Sequence, residues 1–420
     1  MRRVCLGALA AVWACGGYDA LREIPANAGA APVADTGVPA APPQGGADAG
    51  PPAAPAGAGT DGGIAVSPCD GLAPSAQGMR SISIKGRPAL QPDGAVVDGA
   101  GTLALLQIGW VDTEIQLIAP DGTIAGWSIV RWNQGIEPLA RGFATTSYLQ
   151  GSVGAYATQG LAPDGTQLGG TYFAYGIPSI AAPAFGTSFL MAGTFRENYP
   201  APAKPQALWV DVTKDPVIVA SVPLDGDFVG AGADGTGNSL VVFRQMQGAF
   251  KAQWFGPGAR PLTGRFALPG IELSASTSID VSPAAGGGVV VSRIEYVVGW
   301  SDFRIRPQCL LAAGATRCVA APQWMQSRPE MRFLPVRGGR ARAAVTRWRD
   351  GMVDCADTVE VFTLDGKSCG SVELRIAAGT CSRLNLTVGP EGTVVQSLPR
   401  DVPLPDSDHL TWRWWPGMLR

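Results

Sequence analysis

The chain has 420 residues and a formal net charge of −2 at neutral pH, and only 16% of its residues are charged. This length supports a large core, either as one big β domain or as two smaller domains. The mild acidic balance argues against nucleic acid as the main partner, and no apolar stretch beyond the N-terminus is long enough to predict a membrane span.

The first 16 residues carry the pattern of an export signal. Arg2 and Arg3 give a positive start, and the apolar run of residues 4–14 is shorter than the roughly 20 residues that a membrane-spanning helix needs. The run ends in Val12-Trp13-Ala14-Cys15-Gly16, which resembles the lipobox of bacterial lipoproteins. The resemblance implies that residues 1–14 are a cleaved signal peptide and that Cys15 is acylated. An ordinary cleaved secretory signal is the alternative.

Residues 15–63 are predicted to be a disordered tether. Most residues between Ala26 and Gly63 are Ala, Gly or Pro, and none is Lys, Arg or aromatic. Such a segment has too little apolar surface to offset the entropy of ordering it. By the lipoprotein resemblance, the absence of aspartate at Gly16 implies an outer-membrane lipoprotein of the bacterial cell envelope, with a secreted protein as the alternative.

Six cysteines remain after the signal, and they predict disulfides in an oxidising compartment. They are Cys69, Cys309, Cys318, Cys355, Cys369 and Cys381. The chain has no CxxC pair of the kind that zinc sites use. Cys309 and Cys318 lie symmetrically about a plausible hairpin turn at Ala313-Gly314, so they are expected to face each other and to bond. Cys69 is expected to bridge to the C-terminal cysteines, for example Cys381.

Short apolar strands alternate with tight turns along residues 64–420, and helix signals are nearly absent. The string Ala-Pro-Asp-Gly-Thr occurs at residues 119–123 and again at residues 162–166. Related turns follow near residues 215, 258, 314, 365 and 416, roughly every 50 residues, and several strands fit between successive turns. This period predicts an all-β fold, a β-propeller with seven four-stranded blades. Two β-sandwich domains are the alternative.

The two ends of this domain predict how the ring closes. The last repeat stops at Met418-Leu419-Arg420, directly after its turn, so it lacks an outer strand. The domain begins with an unpaired strand at residues 80–85. We expect this N-terminal strand to complete the last blade.

Candidate catalytic and metal residues are few. The single histidine, His409, has Asp406 and Asp408 nearby, but a polar turn is the favoured interpretation, and the chain has no Gly-x-Ser-x-Gly elbow. Two Asp-Gly clusters, at residues 93–99 and 225–235, suggest hairpin turns more strongly than calcium sites. No catalytic residue, metal or cofactor is predicted.

Two further groups of side chains are candidates for binding. Arg340, Arg342 and Arg347 belong to an arginine-rich stretch and form a candidate anion site, because arginine pairs with phosphate and carboxylate groups in two-pronged fashion. A solvated strand face is the favoured interpretation of these arginines. The aromatic group comprises Trp209, Trp254, Trp412, Trp414 and Trp415. These tryptophans are interpreted as packing between blades rather than as sugar-binding platforms.

These patterns predict a lipid-anchored, non-enzymatic scaffold of the cell envelope that binds a protein or glycan partner. Contact with the membrane is expected through the N-terminal lipid only, and no nucleic acid is expected. The alternatives are an envelope glycan hydrolase or lyase with paired carboxylates in a propeller channel and a purely structural envelope component.

Overall fold

The computed structural model describes residues 67–85, 91–108, 112–131, 133–149, 155–175, 178–180, 186–196, 202–234, 236–244, 250–268, 277–284, 287–296, 303–327, 332–336, 339–350, 354–375, 386–389, 392–398 and 409–419. The predicted signal, Cys15 and the tether of residues 15–63 lie outside these residues. Within them, no helix is long and apolar enough to cross a membrane.

The described strands form seven antiparallel sheets, here called blades 1 to 7. The chain begins with β1 (Arg80–Lys85) and continues into blade 1, which comprises β2 (Gln91–Val97), β3 (Leu103–Ile108), β4 (Asp112–Ile118) and β5 (Ile124–Arg131). Blade 2 comprises β6 (Asn133–Pro138), β7 (Phe143–Tyr148), β8 (Ala155–Leu161) and β9 (Gln167–Tyr175). Blade 3 comprises β10 (Pro178–Ile180), β11 (Ser188–Phe195), β12 (Lys204–Asp211) and β13 (Ile218–Pro223).

The second half of the chain repeats this order. Blade 4 comprises β14 (Asp227–Ala233), β15 (Ser239–Arg244), β16 (Phe250–Gly256), β17 (Arg260–Pro261) and β18 (Phe266–Ala267), the last two both pairing with β16. Blade 5 comprises β19 (Thr277–Pro283), β20 (Val289–Tyr296), β21 (Phe303–Leu311) and β22 (Val319–Ala320). Blade 6 comprises β23 (Arg332–Pro335), β24 (Ala341–Asp350), β25 (Asp354–Thr363) and β26 (Ser368–Arg375). Blade 7 comprises β27 (Leu386–Val388), β28 (Val394–Ser397), β29 (His409–Trp415) and, returning from the N-terminus, β1. A 3-10 turn at Pro257–Ala259 and a short helix, α1 (Gln323–Gln326), are the described helical segments.

The first strands of the blades contact one another around a ring. β2 contacts β6 of blade 2 and β27 of blade 7, and β19 contacts both β14 and β23. Each first strand therefore lies near the axis, and each fourth strand lies at the rim. The fold is a seven-bladed β-propeller. The predicted fold is confirmed, and the alternative of two β-sandwiches is wrong.

The ring closes in the last blade, as predicted. β1 pairs antiparallel with β29, in a register that runs from Arg80 opposite Trp414 to Lys85 opposite His409. Arg80 also donates a hydrogen bond from Nη1 to the carbonyl oxygen of Pro120 at 2.6 Å. The N-terminal strand thus completes blade 7 and ties it to the adjacent turn of blade 1.

The core consists of apolar layers between neighbouring blades. One layer joins blade 1 to blade 7 through Leu103, Leu105, Ile118, Val395 and Trp412. Along β4 the side chains alternate between half-buried and buried, as a strand of a layered sheet requires. Layers of this kind hold the ring together by apolar burial as well as by hydrogen bonds.

The repeated Asp-Gly turns are built by local polar contacts. Asp121 Oδ1 accepts hydrogen bonds from the backbone N–H and the hydroxyl of Thr123, at 2.9 and 2.7 Å. Gly122 has a φ of 95°, which favours glycine because it lacks a Cβ atom. The turn at Asp164 and Thr166 repeats the same two contacts. The recurring string therefore encodes one turn structure in two blades.

A segment before β1, residues 69–79, contacts blades 6 and 7; we call it the N-terminal strap. Cys69 forms a disulfide with Cys369 of β26 in blade 6. Leu72 is buried in the apolar layer between blades 6 and 7. The backbone N–H of Ser75 donates to the carbonyl oxygen of Met418, at 3.2 Å. The strap thus fastens blade 6 before its continuation completes blade 7.

Candidate functional site

Four of the six cysteines, those whose side chains the structure describes, form two disulfides, and the pairing differs in detail from the prediction. Cys309 bonds to Cys318, with a Cα–Cα distance of 5.6 Å. In the strand register Cys309 faces Ala320, so Cys318 lies diagonal to it rather than directly opposite. Cys69 bonds to Cys369 rather than to Cys381, so the bridge to the C-terminal cysteines forms with a different partner from the one expected. Cys381 and the side chain of Cys355 lie outside the described residues.

The candidate anion site is divided by burial. Arg342 on β24 is only 6% exposed, and its Nε has no hydrogen-bond partner in the described part of the chain. Burial lowers the pKa of this guanidinium. Arg340 is exposed, and the side chain of Arg347 lies outside the described residues. The interpretation of a solvated strand face is therefore wrong for Arg342, and an anion site stays a prediction.

The register explains why Arg342 is buried. It lies opposite Phe362, which packs with Ala284, Val290 and Met325 between blades 5 and 6. In other blades the second strand begins with buried residues such as Leu103 and Val289. Arg342 therefore occupies a core position of the repeat, where a charged group is costly.

The tryptophans singled out from the sequence are core residues. Trp209, Trp254, Trp412, Trp414 and Trp415 are all buried. Trp254 also donates a hydrogen bond from Nε1 to the carbonyl oxygen of Ala315 in blade 5, at 2.8 Å. The prediction that they pack between blades is confirmed, and their burial removes them as sugar platforms.

Asp98 and Asp234 lie in turns, whereas Asp93-Gly94 lies within β2, at the register shift between Pro92 and Gly94, so the hairpin-turn interpretation is wrong for that pair. Asp98 is fully buried and accepts hydrogen bonds from the backbone N–H groups of Thr102 and Gly142, both at 2.7 Å. Asp234 accepts from Thr236 and Asn238 within its own turn.

Among the described residues, no group of three or more His, Cys, Asp or Glu side chains could hold a metal ion. Asp406 and Asp408 lie outside the described residues, and His409 pairs with Lys85 in the sheet.

The rim of blade 1 exposes a surface that the sequence analysis missed. Large apolar side chains are exposed on several fourth strands, including Phe173 in blade 2 and Val219 in blade 3. Three of these exposed side chains, Ile124, Trp127 and Ile129, lie on the single strand β5, and Trp127 is 61% exposed. Contiguous exposed apolar surface on a soluble domain often marks an interaction site.

A shallow cleft of about 230 Å³ lies beside Trp127. We call it the blade-1 cleft, and its lining residues are Gln107, Glu114, Ile115, Gln116 and Trp127. Gln107 faces Glu114 across β3 and β4, and Gln116 faces Trp127 across β4 and β5. Gln116 also faces Leu105, which packs toward blade 7. The polar groups and the indole therefore share the face that blade 1 turns toward blade 7.

The hydrogen bonding of the blade-1 cleft is incomplete. Gln107 is only 3% exposed, and its Oε1 has no hydrogen-bond partner among the described residues. Gln116 donates from Nε2 to the carbonyl oxygen of Gly126 at 2.7 Å. A buried amide oxygen without a partner costs free energy. The cleft thus contains an acceptor that a bound donor could satisfy.

Comparisons with known proteins gave distant structural likenesses and no family. No protein-family model matches the chain, and no curated protein sequence matches it. The chain is similar to the WD40 domain of coronin from Toxoplasma gondii, with 8% identity, a TM-score of 0.37, and coverage of 80% of this chain and 86% of that one. It is also similar to a eukaryotic initiation factor, with 10% identity, a TM-score of 0.41, and coverage of 78% and 85%. An uncharacterized protein from Listeria monocytogenes matches with 8% identity, a TM-score of 0.38, and coverage of 75% and 94%.

Likenesses at this level carry no argument about activity. The propeller assignment rests on the seven sheets and on the strand order within them. The propeller fold alone does not assign a function to this chain.

Proposed function

We propose that this protein is a lipid-anchored, non-enzymatic scaffold of the bacterial cell envelope, and that its propeller binds a protein or glycan partner. Propellers commonly mediate protein binding or scaffolding. The observation that carries the proposal is the exposed surface of β5, where Trp127, Ile124 and Ile129 are open to solvent. Tryptophan is enriched among the residues that contribute most to binding energy at protein interfaces.

The construction of the ring supports a scaffold. The N-terminal strap is bonded to blade 6, and its continuation β1 is paired within blade 7. A tether ending at this strap would pull on a disulfide and on a buried leucine, Leu72, before it pulled on the sheet. This arrangement suits a domain that is held to a surface by its N-terminus and binds a partner at its rim.

The test is chemical cross-linking and affinity capture from intact envelopes, with the full-length protein. Cys15→Ala removes the proposed lipid attachment, and Cys5→Ala is the matched control within the predicted signal. We expect Cys15→Ala to release the protein from the membrane fraction and to lose the captured partner, and Cys5→Ala to retain both. An unchanged membrane fraction for Cys15→Ala would contradict the anchor. The absence of any enriched protein or glycan from wild type would contradict the scaffold.

A further inference from the structure

The blade-1 cleft combines an exposed aromatic face with hydrogen-bond acceptors. Trp127 offers its indole, and Gln107 offers a buried amide oxygen without a partner. Glu114 adds a carboxylate to the same face. Because the Nε2 group of Gln116 is committed to Gly126, its amide also contributes an acceptor oxygen. The cleft therefore favours a ligand that donates several hydrogen bonds and has a flat surface.

Arginine has these properties. Its guanidinium group is planar and positively charged, carries five N–H donors and no acceptor, and stacks on aromatic rings. A carboxylate such as Glu114 pairs with it in bidentate geometry. Glu114 is the only charged residue among the described residues that line the cleft, so a cation is electrostatically complementary to it.

The size of the cleft also favours a single side chain. Its volume of about 230 Å³ is below the roughly 300–1,000 Å³ of pockets that enclose a drug-sized ligand. A sugar ring presents hydroxyl groups that accept as well as donate, and these would find fewer partners in an acceptor-rich cleft. The position of the cleft at the rim, beside the exposed Ile129, lets the rest of a partner chain lie across β5.

We propose that the blade-1 cleft binds the guanidinium group of an arginine presented by a partner polypeptide. The proposal rests on the proposed scaffold function and names the chemistry of its partner. The arginine stacks on Trp127 and donates hydrogen bonds to Glu114 and to the amide oxygen of Gln107. A donor that reaches this oxygen, which is already buried in the free protein, removes the cost of leaving it without a partner.

The experiment measures binding of a fluorescein-labelled Gly-Arg-Gly-Arg-Gly peptide to the full-length protein by fluorescence anisotropy. A second peptide has citrulline, which is neutral, in place of each arginine. We expect the citrulline peptide to bind at least about 5-fold more weakly, because it loses the charge that the indole and the carboxylate attract. We also expect the affinity of the arginine peptide to fall with added salt.

Variants locate the binding. Trp127→Ala should weaken it about 3- to 30-fold, and Glu114→Gln should weaken it about 2- to 5-fold and reduce its salt dependence. Gln107→Leu should weaken it without loss of thermal stability, because it removes a buried acceptor that has no partner in the free protein. Phe173→Ala is the matched control, an exposed aromatic on the fourth strand of blade 2, and should bind like wild type.

Several results would overturn the arginine site. They are no measurable binding, equal binding of the two peptides, equal effects of Trp127→Ala and Phe173→Ala, and displacement of the peptide by a methyl glucoside. An envelope partner that is still captured by Trp127→Ala would also overturn it while leaving the scaffold proposal intact. Arginine-specific binding without any Cys15-dependent partner would support the site and count against the scaffold.

Discussion

Cys69 and Cys369 are 300 residues apart in the sequence and are joined by a disulfide with a Cα–Cα distance of 5.1 Å. Cys69 precedes β1, which is the fourth strand of blade 7, whereas Cys369 lies on β26, which is the fourth strand of blade 6. The bond therefore links the N-terminal strap to a different blade from the one that β1 completes. Closure of the ring is both covalent and hydrogen-bonded.

Removal of this disulfide should destabilise the whole domain. In the chain-entropy model, a bond that closes about 300 residues contributes up to about 5–6 kcal/mol, and one that closes about nine residues contributes up to about 2.6 kcal/mol. We therefore expect Cys69→Ser with Cys369→Ser to lower the urea midpoint more than Cys309→Ser with Cys318→Ser. Chemical denaturation of both double variants measures the difference. Equal losses would show that the strap does not constrain the unfolded chain.

Close contact between blades 1 and 2 predicts a second effect. A Cβ atom at Gly126 on β5 would lie 2.0 Å from the carbonyl oxygen of Asp164 in the turn of blade 2. Gly126→Ala must therefore displace that turn, at a cost of about 1–3 kcal/mol. Gly135→Ala is the control, because a Cβ atom there meets nothing within 4 Å. Thermal unfolding that shows the same midpoint for both variants would contradict this contact.

The buried Arg342 predicts a stabilising substitution. Its Nε has no hydrogen-bond partner in the described part of the chain, and Leu103 begins the corresponding strand of blade 1. Arg342→Leu should raise the free energy of unfolding by about 1–3 kcal/mol, since it removes a buried unsatisfied group. Arg340→Leu, at an exposed position, should change it little. A large loss of stability in Arg342→Leu would instead indicate that this guanidinium has a partner in the native protein.

The Asp-Thr turns predict sensitivity to acid. Hydrogen bonds from the hydroxyl and the backbone N–H of Thr166 lower the pKa of Asp164, and the same groups of Thr123 lower the pKa of Asp121. A carboxylate with a lowered pKa in the folded state stabilises above its unfolded value, near 3.8, and this contribution is lost as the pH falls through the folded pKa. Thr166→Val should raise the pKa of Asp164, as carboxyl NMR titration would show. An unchanged titration would mean that the turn does not form as described.

The repeat was the part of the fold most accessible from sequence. Strings such as Ala119 to Thr123 specify a turn by local contacts, so their spacing predicts the number of blades. The pairing of Cys309 with Cys318 is similarly local. Its register differs from the symmetric expectation because the turn that forms is displaced by one residue toward the C-terminus.

Contacts between residues that are far apart in the sequence could not be predicted in the same way. The partner of Cys69 depends on the path of the strap across blade 6, and nothing near Cys69 encodes that path. The burial of Arg342 depends on its register opposite Phe362, although the surrounding arginines suggest a solvated strand. Trp127 resembles the buried tryptophans in sequence, and its exposure follows only from its place on a fourth strand. A role of the Gln107 amide in binding could not be predicted, because it depends on residues of β4 and β5 that lie beside Gln107 only in the folded sheet.

Site-specific photo-cross-linking in intact envelopes tests directly whether blade 1 carries a binding surface. A photo-reactive amino acid is placed at Ile129, beside the blade-1 cleft, and in a control at Val219 on the rim of blade 3, which is also exposed. We expect one discrete cross-linked protein from position 129, which is lost when Trp127→Ala is added, and none from position 219. No product from position 129, or the same products from both positions, would contradict a binding surface on blade 1.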